Sequence, residues 1–362
     1  MKLKIDSLIQ TDAELTRQPT SSDPIILMTR IRLARNLAGF SFPNHSDPEA
    51  REQVFEICSE AIPRADGMES PFLLRMGDLS EMEKKILVER HLVSRELIDS
   101  DSGAGVVINK DQSCSVMINE EDHLRVQSML AGFHLDKVWT LINSLDDSLE
   151  ERLDYAFSDK LGFLTACPSN VGTGLRASVM MHLPGLVITK NMEKVIRAVN
   201  QIGLVVRGWL GEGSDASGSV FQISNQQTLG EAEETILKRL RNVLKTVRVQ
   251  EENARIRLLQ TDRNRILDRI GRAYGILRNG HLLSSGEGMS LLSLIRLGTD
   301  FGMFPEETRF SVDRLFIETQ PAHVQYLAES ELGSGARDSL RASSVRNVFA
   351  EVPEPDFDAA SS

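Results

Sequence analysis

The sequence predicts an α+β fold, a mostly antiparallel sheet flanked by helices with an all-helical domain after it. Three observations carry this reading. Short apolar, β-rich runs recur through the first part of the chain, at Pro24–Arg32, Gly105–Asn109, Cys114–Asn119, Leu161–Ala166, Leu204–Val206 and Ser219–Gln226. A link as short as Lys110-Asp111-Gln112-Ser113 suits a hairpin and antiparallel pairing. From Leu229 the alternation stops and helical periodicity takes over.

The 362 residues suffice for two or three domains with a sizeable core. A net charge of −11 argues against nucleic acid as a direct partner. No apolar run reaches the length of a bilayer span, so a membrane is not an expected partner either. The first residues are too acidic for a signal peptide, and Cys58, Cys114 and Cys167 form no CxxC pair. Both features lead us to expect a reducing cytoplasm. The histidines have no zinc-site spacing.

Taken in order, residues 1–23 read as a polar extension with a short helix and a linker, and 24–255 as the sheet-bearing domain. Ser46 to Ala65 predicts a helix, capped by Ser46 or Asp47 and started by Pro48, with Val54, Cys58, Ala61 and Ile62 as its apolar stripe. Ser80-Glu81-Met82-Glu83 is a capping box for a helix running to about His91-Leu92 with Met82, Ile86 and Leu87 inward. Leu135–Phe157 reads as a long amphipathic helix, and Met192–Ile202 as one stopped by Gly203. Gly230 to Leu259 predicts a long charged helix leading into a helical domain, 256–350, suited to regulation or dimerisation. Its helices fall at Arg265–Leu277, Met289–Arg296, Val312–Glu318 and Ala336–Asn347. The acidic tail 351–362, with two prolines and no core pattern, is expected to be disordered.

The stretch Leu161–Leu183 organises the chemistry. Its first run reads as a buried strand ending at Cys167-Pro168. The small-residue loop Ser169–Gly174 follows, where Gly172 and Gly174 permit positive φ or a close approach, and Arg176 comes next. A thiol, a glycine-bearing loop and an arginine between apolar segments suit a phosphate-rich ligand, although a tight core turn would look the same. On an extended Pro24–Arg32, Arg30 and Arg32 share a face, and adjacent guanidinium groups repel unless an anion lies between them. Arg35 is not grouped with them.

Asn119-Glu120-Glu121-Asp122-His123-Leu124-Arg125 ends a strand in polar residues. A helix opening there, capped by Asn119 or Asp122, would put Glu121 and Arg125 on one face. Arg207 to Ser214 reads as a glycine-rich active-site lid or as a plain hairpin loop. Arg337 and Arg341, four apart, weaken a helix slightly unless an anion sits between them, and from spacing alone they read as a solvated basic face. Arg30, Arg32, Arg125, Arg176 and Arg207, with Glu121 and Glu212, fit phosphoryl transfer from a nucleotide, in which a protein mainly positions reactants and stabilises charge. Neither GxxxxGK[ST] nor HRDxxxxN is present, so neither a P-loop enzyme nor the common protein-kinase fold is indicated.

The segments TRIRLARN at Thr29–Asn36, NEEDHLRVQ at Asn119–Gln127, GFLTACPSNVGTGLRASVM at Gly162–Met180, RGWLGEGSDASGSVFQISN at Arg207–Asn225 and RDSLRA at Arg337–Ala342 resemble the phosphagen (guanidino) kinases, and among them the bacterial protein arginine kinases. The resemblance implies a guanidino-kinase, glutamine-synthetase-like catalytic domain. It implies ATP-dependent phosphorylation of protein arginines, with N-phosphoarginine marking proteins for Clp-type degradation or inactivating a stress repressor. ATP phosphates would lie among the five arginines, with Mg²⁺ held mainly by nucleotide and water. The implied nucleotide contacts also include Met28, Thr29, Ile31 and His91, then Ala177, Ser178, Val179 and Met180, then Gly208, Trp209, Leu210, Gly211 and Glu212.

By the same resemblance Glu121 grips the target guanidinium and acts as base, with Glu212 as its partner. Cys167 positions the guanidinium as a thiolate, and Ser169 donates a hydrogen bond to the sulfur. Arg337, Asp338, Arg341 and Ala342 resemble a regulatory phosphoarginine site, the arginines on the phosphate and Asp338 on the guanidinium. Few residues precede the TRIR strand, which leaves an open site suited to arginine on a protein. Expected partners are substrates with exposed arginines, an activator subunit, a Clp-type unfoldase or protease, and a second copy of the chain. Two other readings stand beside this one: a kinase of a free guanidino compound, and a non-catalytic adaptor for phosphoarginine proteins.

Overall fold

The computed structural model describes residues 5–17, 23–100, 102–209 and 217–361. The strands are β1 (Ile26–Arg35), β2 (Phe72–Arg75), β3 (Gly105–Ile108), β4 (Cys114–Ile118), β5 (Leu124–Ala131), β6 (Phe157–Ser158), β7 (Gly162–Phe163), β8 (Leu175–His182), β9 (Leu204–Gly208) and β10 (Val220–Asn225). Eight of them form one sheet in the order β2-β3-β4-β5-β1-β8-β10-β9. Every neighbouring pair is antiparallel. The α+β expectation therefore holds.

Helices α1 (Asp6–Ile9), α2 (Pro48–Ala61), α3 (Glu81–Glu89), α4 (Arg95–Ile98), α5 (Leu135–Glu150), α6 (Pro184–Ile188) and α7 (Met192–Gln201) accompany the sheet. The long α8 (Glu233–Thr261) leads into α9 (Arg263–Asn279), α10 (Ser285–Asp300), α11 (Glu307–Glu318), α12 (Pro321–Leu327) and α13 (Ser334–Phe349). One sheet face, with Ile31, Leu33, Val126, Ala177 and Val179, is sealed by apolar residues of α2, α5, α7 and α8, including Cys58, Ile142, Val195 and Leu240. The opposite face is polar at its centre. Around that centre Met28, Met117, Met129 and Met180 pack into the core of α3 and the helical domain.

Local rules explain many boundaries. Asp47 caps α2 by accepting from the Ala50 N–H at 2.8 Å, and the predicted capping box at Ser80 and Glu83 is formed. Gly203, with φ of 74°, follows α7. Other expectations need correction. The NEEDHLR run opens no helix. It is a hairpin turn, in which Asn119 takes φ of 54° and its N–H donates to the His123 carbonyl. Asn is among the few residues that accept such a backbone, and Leu124 onward then alternates as β5.

Three more expectations fail for identifiable reasons. Leu161–Ala166 is not a buried strand: Leu161 is exposed, only Gly162 and Phe163 pair, and the buried strand is β8. The polar anchoring of Leu164 and Ala166 by Asn36 and Asp122 replaces a ladder there. The α5 helix ends at Glu150, because the following chain turns back to pair Tyr155 with Leu37. The acidic tail is not disordered along 351–361. Val352 and Ala360 are buried, the Tyr274 hydroxyl donates to the Val352 carbonyl at 3.0 Å, and the Asp356 N–H donates to the Met303 carbonyl at 2.9 Å. The short α12 had no counterpart in the sequence reading.

Arg35, on the sealed face, holds the sheet to α5. Its guanidinium pairs with Asp146 at 2.6 Å, donates to the Thr173 carbonyl at 2.9 Å and lies 3.5 Å from the centre of the Phe163 ring. Removing one partner of a buried pair leaves the other charge uncompensated. Asp146→Ala is therefore expected to destabilise the fold by about 3–5 kcal/mol in chemical denaturation. A loss below about 1 kcal/mol would show that Arg35 does not depend on this carboxylate.

Candidate active site

The pairing register assembles the site. Arg32 lies opposite Arg176 across β1 and β8, and opposite Gln127 across β1 and β5. Ala34 lies opposite Arg125, and Gln222 opposite Arg207. Because side chains alternate along strands, Arg30, Arg32, Arg125, Arg176 and Arg207 all emerge on the polar face. They line one cavity of about 650 Å³ together with His91, Trp209, Glu120, Glu121 and Cys167.

On the positive side of this cavity, Arg30 and Arg32 are weakly compensated among the described residues. One Arg30 terminal nitrogen donates to Gln222 Oε1 at 2.7 Å, and Arg176 donates to Ser224 Oγ at 3.4 Å, both neutral acceptors. The Nε atoms of Arg30 and Arg32 have no hydrogen-bond partner among the described residues. Burial, then the nearby charges of Arg176 and Arg125, lowers the Arg30 pKa to about 10. Burial and the charges of Arg30, Arg125 and Arg176 push Arg32 well down, against a weaker pull from Glu120. His91 is buried with φ of 60°, and its Nε2 has no partner among the described residues. Burial, with Arg30 and Arg32, lowers its pKa to about 3, so the ring is neutral at working pH. It meets the Trp209 ring edge to face at 5.2 Å.

The acidic side faces this cluster. Arg125 donates to Glu120 at 2.6 Å, and Ser94 Oγ donates to the same carboxylate. Glu121 stands beside them, half-exposed and 3.5 Å from Arg125. Burial raises its pKa, Arg125 opposes the rise, and Asp122, Glu120 and Glu96 add to it. Cys167 Sγ lies 3.0 Å from Ser169 Oγ. The loop that carries them is fixed by the Thr228 hydroxyl, which donates to the carbonyls of Ser169 at 3.0 Å and Val171 at 2.7 Å. Gly172 and Gly174 are required there. Their φ angles are +107° and +65°, and a Cβ would lie 2.6 Å from the Thr228 and Ala34 carbonyl oxygens respectively.

The structure separates the expected site residues into two groups. Arg30, Arg32, His91, Arg125, Arg176, Arg207, Trp209, Glu121 and Cys167 meet at one cavity. The side chains of Ile31, Ala177 and Val179 point into the opposite core, and Met28 and Met180 into the apolar rim. Thr29 Oγ1 donates to the Gly132 carbonyl at 2.7 Å, and Ser178 Oγ to the Arg30 carbonyl at 3.2 Å. Gly208 pairs with Phe221 in the ladder. These seven side chains and Gly208 do not line the cavity. Leu210, Gly211 and Glu212 lie outside the described residues.

In the RDSLRA segment Arg341 is buried rather than presented on a solvated face. It donates to the Thr319 carbonyl at 2.7 Å, the Leu283 carbonyl at 2.8 Å and Asp338 at 2.6 Å. Arg337 donates to the Leu332 carbonyl at 2.7 Å, and Ala342 is buried. The sequence reading did not identify Glu120 as the partner of Arg125, nor the contributions of Ser94, Gln222 and Asp122. The alternation of Leu124 to Ala131 was the available signal for the first.

Buried guanidinium groups held near one another, as Arg30 and Arg32 are, destabilise a protein unless an anion lies between them. Arg32→Gln is expected to raise the stability of the unliganded protein by about 1 kcal/mol while removing the thermal stabilisation that ATP confers. Thermal unfolding with and without nucleotide checks both effects. A variant less stable than the parent when empty would mean that Arg32 is a structural cation.

Comparison with known proteins agrees with this geometry. Residues 53–254 match the family described as ATP:guanido phosphotransferase, C-terminal catalytic domain. Residues 263–360 match the protein-arginine kinase McsB C-terminal domain. A protein-arginine kinase of Pelotomaculum thermopropionicum is 43% identical over 332 residues, covering 91% of this chain and 93% of the relative. One from Halalkalibacterium halodurans is 45% identical over 323 residues, covering 89% and 91%. Among solved structures, lombricine kinase aligns with a TM-score of 0.56 at 26% identity, over 67% of this chain and 71% of the other. The duplicated taurocyamine kinase of Schistosoma mansoni with transition-state-analogue components aligns with a TM-score of 0.57 at 30% identity, over 67% of this chain and 36% of the other. With its relatives matched along nearly their whole length, and both family domains in place, this chain belongs to the protein-arginine kinases of the ATP:guanido phosphotransferase family.

Proposed function

We propose that this enzyme transfers the γ-phosphoryl group of ATP to the guanidinium of arginine side chains in proteins. The observation that carries the reading is the single cavity in which five arginines face Glu121 and Cys167. Arg30, Arg32, Arg125, Arg176 and Arg207 would hold the phosphates, their planar donors matching phosphate oxygens. Glu120 is already occupied by Arg125 and Ser94, which suits Mg²⁺ carried by the phosphates and water rather than by this carboxylate. When bound, the metal would neutralise phosphate charge.

The acceptor is a weak nucleophile, because a guanidinium is protonated and its lone pairs are delocalised. Glu121 would orient it by a paired hydrogen bond and take the proton as nitrogen bonds to the γ-phosphorus. The bond from that phosphorus to the bridging oxygen breaks, and ADP leaves. The raised pKa of Glu121 makes it a better base than an ordinary carboxylate. Cys167 would lie against the other edge of the guanidinium. Glu212, outside the described residues, keeps the role that the resemblance implies. On the same reading the product is an acid-labile mark, read by Clp-type degradation machinery or inactivating a repressor.

Mass spectrometry after incubation with ATP and either a basic protein or free arginine tests the proposal. Phosphoarginine should form on the protein, and Glu121→Gln should lower its rate by about 100-fold or more. Phosphorylation of free arginine alone would favour a small guanidino substrate. A fully active Glu121→Gln enzyme would remove this carboxylate from the chemistry.

A further inference from the structure

Glu121 and Cys167 come from distant parts of the chain, and their immediate neighbours join them. Asp122, the residue after Glu121, is fully buried. Its Oδ1 accepts a hydrogen bond at 2.7 Å from the main-chain N–H of Ala166, the residue before Cys167. The same oxygen accepts a second, also at 2.7 Å, from Asn36 Nδ2. Asn36 follows β1 directly. Its Nδ2 also donates to the Leu164 carbonyl at 3.0 Å, and its Oδ1 accepts from the His123 N–H at 2.9 Å. One carboxyl and one carboxamide thus tie together the turn bearing Glu121, the loop bearing Cys167 and the end of the strand bearing Arg30 and Arg32.

Asp122 is an expensive residue to place there. Burial raises its pKa, with the Ala166 N–H and Asn36 working against the rise. Its Oδ2 is buried with no hydrogen-bond partner among the described residues. A buried carboxyl with one oxygen engaged twice and the other idle is retained where its geometry matters.

We propose that Asp122 is a positioning residue for phosphoryl transfer. By gripping Ala166 it sets the distance between the Glu121 carboxylate and the Cys167 sulfur, and so the width of the cleft that receives the acceptor guanidinium. This rests on the reading above that Glu121 and Cys167 hold the acceptor. A misplacement of about 1 Å in such a constellation is enough to cost about 100-fold in rate. The function of Asp122 lies in its accepting oxygen and not in its charge, so an asparagine should replace it.

The test uses the full chain, ATP and an arginine-bearing protein acceptor, with kcat and both KM values measured separately. Iodoacetamide labelling follows Cys167, because Cys58 and Cys114 are buried and Cys167 is not. Asp122→Ala should lower kcat by about 100-fold, leave the KM for ATP unchanged and alter the labelling rate of Cys167. Asp122→Asn should restore kcat to within about threefold of the parent. In a Cys167→Ala background, Asp122→Ala should cost no more than about threefold further, because the spacing it sets no longer matters. An Asp122→Asn enzyme as impaired as Asp122→Ala, or full additivity with Cys167→Ala, would overturn the proposal. The asparagine variant keeps the test decisive if the alanine variant does not fold. Retention of full activity by Cys167→Ala and Glu121→Gln would instead remove the acceptor reading itself.

Discussion

Repulsion among guanidinium groups held side by side on a sheet is the constraint on which the rest of this structure depends. Arg30, Arg32 and Arg176 sit on adjacent strands whose other face is a continuous apolar core. The strands cannot twist the charges apart without exposing that core, because a shift of one residue would exchange the two faces. The arginines are therefore held close together, and the neutral Gln222 and Ser224 are among their acceptors. The pKa values of Arg30 and Arg32 fall because burial and like charge both disfavour the protonated form. An anion placed among them would add attractions that offset this repulsion.

Beside this positive cluster the fold builds an acidic wall with different means. Glu120 pairs with Arg125 at 2.6 Å. Glu121, one residue on, is left partly exposed and lines the cavity. The turn and loop that present Glu121 and Cys167 lack long regular structure of their own. They are fixed by side chains of Asn36, Asp122, His123 and Thr228 bonding to main-chain groups, a rigid arrangement made from irregular backbone. Rigid strands place the arginines, and a polar knot places Glu121 and Cys167.

The two sides were not equally legible in the sequence. Arg30 and Arg32 could be placed on one face from strand periodicity, and Cys58 in the core from helical periodicity, because each depends on local repeat alone. Gly172 and Gly174 marked a positive φ or a close approach by residue type, and the structure shows both, against the Thr228 and Ala34 carbonyls. Arg125 was harder. Reading its segment as a helix start left a cation at the wrong end of a dipole, and the structure removes the conflict by making it a strand. Asp122 was not legible, since its partners Asn36 and Ala166 are remote in sequence and only the fold brings them together. The tail was misread because its few apolar residues, Val352 and Ala360, find their cover on a helical surface that composition does not reveal. The burial of Arg341 was not legible either: four-residue spacing shows that two arginines share a helix face, but not that the protein covers one of them.

The most direct measurement of the central claim separates the two halves of the nucleotide. Thermal unfolding of the enzyme should be followed at low ionic strength with inorganic tripolyphosphate and, separately, with adenosine. If mutual repulsion of the sheet arginines is what the nucleotide relieves, tripolyphosphate alone raises the unfolding temperature by several degrees, the gain shrinks as salt is added, and adenosine does little. Stabilisation by adenosine with none by tripolyphosphate would contradict the account.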